Sequence, residues 1–66
     1  MQIRLNGDLQ QIPEPLAVSA LLKRLDIDAR RIAVEHNSVV LKRAQYDSTI
    51  VNDGDEVEIV NFVGGG

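Results

Sequence analysis

The sequence closes on Gly64-Gly65-Gly66, and these are the residues from which chemistry is most readily built. Glycine averages about 7% of protein composition, so three in a row at a set position arise in about 0.03% of chains. Lacking Cβ, such a run can thread a narrow channel and let a nucleophile reach the terminal carbonyl unobstructed. The reactive group is then the carboxylate of Gly66. Four extended residues from Val63 span about 13 Å, at roughly 3.3 Å each, enough to enter a partner's active site while a folded body stays outside. A carboxylate is a poor electrophile and must become a mixed anhydride before sulfur or an amine can attack. That activation has to come from a nucleotide-using partner, which makes the chain a carried substrate rather than an enzyme. An appended or frayed end is the competing reading of the same glycines.

Other constellations are weaker. There is one histidine and no cysteine, which excludes thiol catalysis and thiolate zinc sites. His36 lacks the partners that metal binding or general-base chemistry requires, so it reads as a structural residue at a strand end. The glycines at positions 7, 54, 64, 65 and 66 do not form a phosphate-binding loop. Asp53, Asp55, Glu56 and Glu58 lack the spacing and closing Glu of an EF-hand and read as a solvated acidic face. Lys23-Arg24, Arg30-Arg31 and Lys42-Arg43 are scattered and serve solubility. Asp47-Ser48 is shaped like a phosphopantetheine site, but Thr49 stands where Leu is expected and the flanks are strand-like. Tyr46 and Phe62 are the only aromatic residues, too few for a fold that stacks nucleic-acid bases.

The elements that must present the tail belong to a small body. Sixty-six residues, 44% hydrophobic and 26% charged, fit one folded domain that buries only about 60% of its unfolded surface. The formal charge is −3 with a pI near 4.8, which argues against nucleic-acid and membrane-surface binding. From Asp47 onward there are five acids and no Lys or Arg, whereas the first 46 residues carry seven cations against five acids. Gln2, Arg4 and Asn6 interrupt any apolar run of a signal peptide, and no stretch approaches a membrane span. A cytoplasmic location follows as the expectation.

Gln2 to Asn6 alternate polar and apolar, the period of a half-buried strand. Asn6-Gly7 supplies a two-residue hairpin turn, so Leu9 to Ile12 should return antiparallel until Pro13 and Pro15 stop the ladder. Val18, Leu21, Leu22 and Leu25 form one helical stripe, which places a helix over residues 17–25, with Lys23 and Arg24 suited to its C-terminal dipole. Ala17 offers no capping oxygen. Ile32 to His36 and Val39 to Leu41 read as a hairpin around Asn37-Ser38. Lys42 to Thr49 has no clear period. Ile50-Val51 and the turn cluster Asn52-Asp53-Gly54-Asp55 introduce a last strand from Glu56 to Phe62. The order describes an α+β domain with a mixed sheet on one helix.

Alternation along the last strand sends Val57 and Ile59 toward the helix and Glu56, Glu58, Val60 and Phe62 outward. Two large apolar side chains on the solvent face, directly before the glycines, form a docking surface. The alternative is a bulge that returns Phe62 to the core, or an isolated exposed apolar residue.

Taken together, Val18-Ser19-Ala20-Leu21-Leu22, Ala33-Val34-Glu35-His36-Asn37 with Val40 and Arg43, and Asp53-Gly54-Asp55-Glu56-Val57-Glu58-Ile59-Val60 running into Phe62-Val63-Gly64-Gly65-Gly66 resemble the ubiquitin-like β-grasp sulfur carriers. The likeness covers nearly the whole chain and is greatest to the carriers of the thiamine pathway. Ser38 departs from it where Gly is frequent, and Ala17 where a Thr or Ser cap is common. The resemblance implies a mixed sheet of four to five strands packed on one main helix over residues 1–62, and a flexible glycine tail over 63–66.

It further implies a cycle. An E1-like adenylyltransferase uses ATP to adenylate the Gly66 carboxylate, and sulfur from a cysteine desulfurase relay replaces the AMP. The resulting thiocarboxylate gives its sulfur to thiazole synthase. The carrier binds no cofactor or metal, since ATP is consumed by its activating partner. Gly66 holds the sulfur, Gly64 and Gly65 give access, and partner docking falls to Val60 and Phe62, outward by parity, together with Val63. The small subunit of molybdopterin synthase and ubiquitin-like protein modifiers share the tail chemistry and remain as alternatives.

Overall fold

The computed structural model describes residues 1–61. Strands β1 (Gln2–Leu5) and β2 (Asp8–Gln11) form the expected hairpin, with Gln2 opposite Gln11 and Leu5 opposite Asp8. Asn6 and Gly7 both take positive φ, 50° and 85°, as a type I′ turn requires. Ile12 then donates its N–H to the Met1 carbonyl at 2.9 Å and buries its side chain.

A two-residue strand β3 (Leu16–Ala17) leads straight into helix α1 (Val18–Arg24), within the stripe that the sequence marks. Ala17 makes no side-chain cap. The first helical N–H groups are instead taken by distant carbonyls, Val18 N–H by Thr49 O at 2.9 Å and Ser19 N–H by Tyr46 O at 3.0 Å. Tertiary structure thus supplies the acceptors that a Ser or Thr cap would have provided. At the other end Asp26 adopts φ 59°. Its N–H reaches Lys23 O at 3.1 Å and the Ile27 N–H reaches Leu22 O at 2.9 Å, a Schellman close with Asp where Gly is usual.

Strand β4 (Ile32–His36) and strand β5 (Val39–Val40) pair antiparallel around Asn37 and Ser38, whose φ values are 49° and 71°. The aperiodic segment that follows contains a 3₁₀ turn at Arg43–Gln45 and buries Tyr46. Strand β6 (Ile50–Val51) pairs with β3 as a separate two-stranded sheet. Strand β7 (Glu56–Asn61) then runs through the middle of the main sheet.

The main sheet has the order β2-β1-β7-β4-β5. β7 is parallel to β1 and antiparallel to β4, so the sheet is mixed and has five strands. Helix α1 covers one face. Val18, Leu21 and Leu22 join Ile3, Val34 and Val57 in one core, all 2% exposed or less, and each such side chain contributes about 1.5–3 kcal/mol by leaving water. The alternation in β1, β4 and β7 is what allows this, because every second residue meets the helix. Among the described residues, no helix is long and apolar enough to cross a membrane.

Candidate functional site

The tail residues Gly64, Gly65 and Gly66, with Phe62 and Val63, lie outside the described residues. The strand that leads to them is described through Asn61, and it tests the parity argument for Val60. Val57 is fully buried and Ile59 half-buried, whereas Val60 is 53% exposed. Val60 therefore stands on the sheet face opposite α1, as alternation requires.

Register shows what surrounds it. Val60 lies opposite Ala33 of β4, and Glu58 lies opposite Glu35. Glu35 in turn faces Val40 of β5, which is 67% exposed. On the other flank Arg4 of β1 lies beside Glu56 and opposite the exposed Leu9 of β2. The face carries apolar Val60, Val40 and Leu9 around an acidic centre of Glu35, Glu56 and Glu58. With Ser38 these three acids line a shallow depression. Two carboxylates directly across an antiparallel pair repel one another, so this arrangement costs the isolated domain stability. Neither Glu35 nor Val40 enters the sequence reading of this surface, because only the register between strands brings them beside β7.

The four acids read together from the sequence separate in the structure. Glu56 and Glu58 are exposed on the open face. Asp53 also stays exposed, although its carboxylate pins the turn before β7; Asp55 alone is a correction to the solvated acidic face, since its side chain is only 17% exposed. Asp53 Oδ1 accepts the Gln2 N–H at 2.8 Å, and Gly54, at φ 85°, donates its N–H to Gln2 O at 2.8 Å. Asp55 Oδ2 accepts the Asn52 N–H at 2.8 Å and faces His36 Nε2 at 2.7 Å. Asp55, bound to its own turn and to His36, is the one of the four acids that is not exposed.

His36 is thereby placed as a strand-end structural residue. Asp55 as a carboxylate only accepts, so Nε2 carries the proton that it donates. Burial raises the Asp55 pKa, but the Asn52 N–H and the His36 side chain outweigh it and hold the carboxyl below its ordinary value. Among the described residues, no group of three or more His, Asp or Glu side chains could hold a metal ion.

The geometry is a helix-backed sheet with one open face, whose central strand β7 is the last element described before the glycine run in the sequence. Comparison with known proteins agrees with it. A model of the ThiS family matches residues 3–66. The crystal structure of the thiamine biosynthesis protein ThiS from Geobacter metallireducens is similar along the whole of both chains, with a TM-score of 0.89 at 40% sequence identity. The sulfur carrier protein ThiS of Bacillus subtilis is 31% identical over 65 residues, covering 97% of this chain and 98% of its own. The thiazole synthase of Paramagnetospirillum magneticum is 41% identical over all 66 residues, and this chain spans 20% of its length. A ubiquitin-like β-grasp with one helix on a five-stranded mixed sheet, matched to the family model through its final glycines, settles the affiliation: the chain belongs to the ThiS family.

Proposed function

We propose that this chain is the sulfur carrier of thiazole formation in thiamine biosynthesis, with the carboxylate of Gly66 as the carrying group. The observation that supports this most directly is the ThiS family match, which runs through residue 66. In this reading an E1-like adenylyltransferase lets the Gly66 carboxylate attack the α-phosphate of ATP, releasing pyrophosphate. The outer sulfur of a persulfide supplied by a cysteine desulfurase relay attacks the acyl carbon, AMP leaves with the C–O bond electrons, and a thiol reduces the resulting acyl disulfide to the thiocarboxylate. Thiazole synthase takes the sulfur from the thiocarboxylate, and an oxygen from its carbonyl substrate or from water replaces it at the acyl carbon to return the carboxylate. The likeness to a thiazole synthase five times as long as this chain supports a close working relation between carrier and acceptor.

The protein is a substrate of its partners and not itself a catalyst, and it works in the cytoplasm. Residues 63–66 act as a tail that enters each partner's site. Gly64 and Gly65 keep that passage narrow because they carry no side chain. Val60, with Phe62 and Val63, docks the body. The exposed Val60 on the open face supports this, since apolar surface beside the tail is what a partner would cover.

The test is intact mass after incubation with an E1-like activating enzyme, ATP and sulfide, beside a chain lacking Gly66. Replacement of one oxygen by sulfur in the intact chain alone is the expected result. No replacement with a competent enzyme would overturn the reading.

A further inference from the structure

Backbone groups along β7 alternate between its two neighbours. Glu56 faces the β4 side, where its carbonyl accepts the Asn37 N–H at 2.8 Å. Val57 faces β1, and its carbonyl accepts the Asn6 N–H at 2.9 Å. By the same alternation Ile59 also faces β1, but β1 ends at Leu5 and the chain turns away at Asn6-Gly7. The Asn6 carboxamide fills that place. Its Oδ1 accepts the Ile59 N–H at 2.7 Å and its Nδ2 donates to the Ile59 carbonyl at 3.3 Å. One side chain thus stands in for a missing strand residue and keeps β7 paired on both edges, two residues before Asn61.

Asn37 makes the counterpart contact at the start of β7. Its Oδ1 accepts the Glu56 N–H at 2.9 Å, and its φ of 49° nearly equals the 50° of Asn6. Each hairpin turn therefore contributes an asparagine to the central strand, but only that of Asn6 lies toward the glycines.

We infer that Asn6 is a positioning residue for sulfur loading: its carboxamide fixes Ile59 and so holds the end of β7 in the form that the activating enzyme binds. The inference rests on the carrier reading above. A strand end left unpaired on one edge must be ordered when the enzyme binds, and that ordering weakens association. The cost falls on KM for the carrier, because the adenylation chemistry at Gly66 is untouched.

The experiment compares wild type, Asn6→Gly and Asn37→Gly as full chains, loaded by an E1-like adenylyltransferase with ATP and sulfide, with amide exchange at Ile59 read by NMR. Glycine tolerates both positive φ values, so each variant keeps its turn and loses only the carboxamide. Asn6→Gly is expected to speed Ile59 exchange and to raise KM about five- to tenfold at unchanged kcat, the equivalent of about one net hydrogen bond. Asn37→Gly should lose comparable stability yet load with wild-type KM. Equal KM for Asn6→Gly and wild type, or equal losses in both variants, would overturn the inference while leaving the carrier reading intact. Failure of wild type itself to load would overturn the carrier reading and this inference with it. Should Asn6→Gly not fold, Asn6→Asp keeps the turn and the acceptor but loses the donor, and is held to the same comparison.

Discussion

Nε2 of His36 lies 2.7 Å from Oδ2 of Asp55, and this contact joins the end of β4 to the turn that launches β7. Both side chains are less than one-fifth exposed, 18% and 17%. The same Asp55 oxygen holds the Asn52 N–H. One carboxylate therefore shapes the turn and also locks it to the neighbouring hairpin, which fixes where the central strand begins.

Acid should weaken this lock with a defined sign. The folded Asp55 pKa lies below its ordinary 3.8, so the carboxylate contributes stability above that value and loses it as pH falls through the lower folded pKa. Urea unfolding of wild type and Asp55→Asn between pH 6 and pH 2 checks this. The stability gap is expected to be full at the upper end of this range and to shrink below about pH 4. Asp28, held at about 2 by the Arg30 side chain, titrates in the same range but is common to both proteins. A gap independent of pH would show that Asp55 acts by shape alone.

Ser38 occupies the second position of its hairpin turn at φ 71°, where a Cβ is unfavourable. Ser38→Gly should stabilise the fold by about 1 kcal/mol. For a domain of this size that is a rise of roughly 4–8 °C in Tm, measurable by thermal unfolding.

Val60→Ala separates docking from folding. The side chain is more than half exposed, so the loss of stability should stay below about 1 kcal/mol. Affinity for the activating enzyme, followed by titration calorimetry, is expected to fall several-fold. Phe62→Ala reads the neighbouring position in the same way: an outward ring costs binding, whereas a ring returned to the core costs about 3–5 kcal/mol of stability.

Removal of Gly65 and Gly66 should leave the unfolding midpoint unchanged, because neither has a side chain to bury and both lie beyond the strands and core residues described. Sulfur loading, read by intact mass, is expected to be abolished. Loading of the shortened chain at the normal rate would place the reactive group elsewhere.

Much of the fold was legible because its signals are local. The stripe Val18, Leu21, Leu22 marks α1, the pair Asn6-Gly7 marks the first hairpin, and Val57 and Ile59 alternate with Glu56 and Glu58. Strands of two residues show no period, so the pairing of Leu16–Ala17 with Ile50–Val51 could not be read from the chain. Tyr46 sits in a segment without periodicity, and its burial depends on what α1 leaves uncovered. At the site, the outward placement of Val60 followed from parity, whereas its neighbours Ala33, Glu35 and Val40 did not.

The sequence by itself determined the first hairpin, helix α1, the hairpin of β4 and β5, the last strand with its parity and the glycine run, because each depends on residues a few positions apart. Only the tertiary structure decided which strands are neighbours. That choice places β7 between β1 and β4, sets Glu58 against Glu35, gives Ala17 the carbonyls of Thr49 and Tyr46 in place of a cap, and brings the Asn6 carboxamide to Ile59, 53 positions away. The physical reason is common to all four. Unpaired backbone groups and uncovered apolar faces must find partners somewhere in the molecule, and the partner that satisfies them is selected by the packing of the whole sheet on its helix.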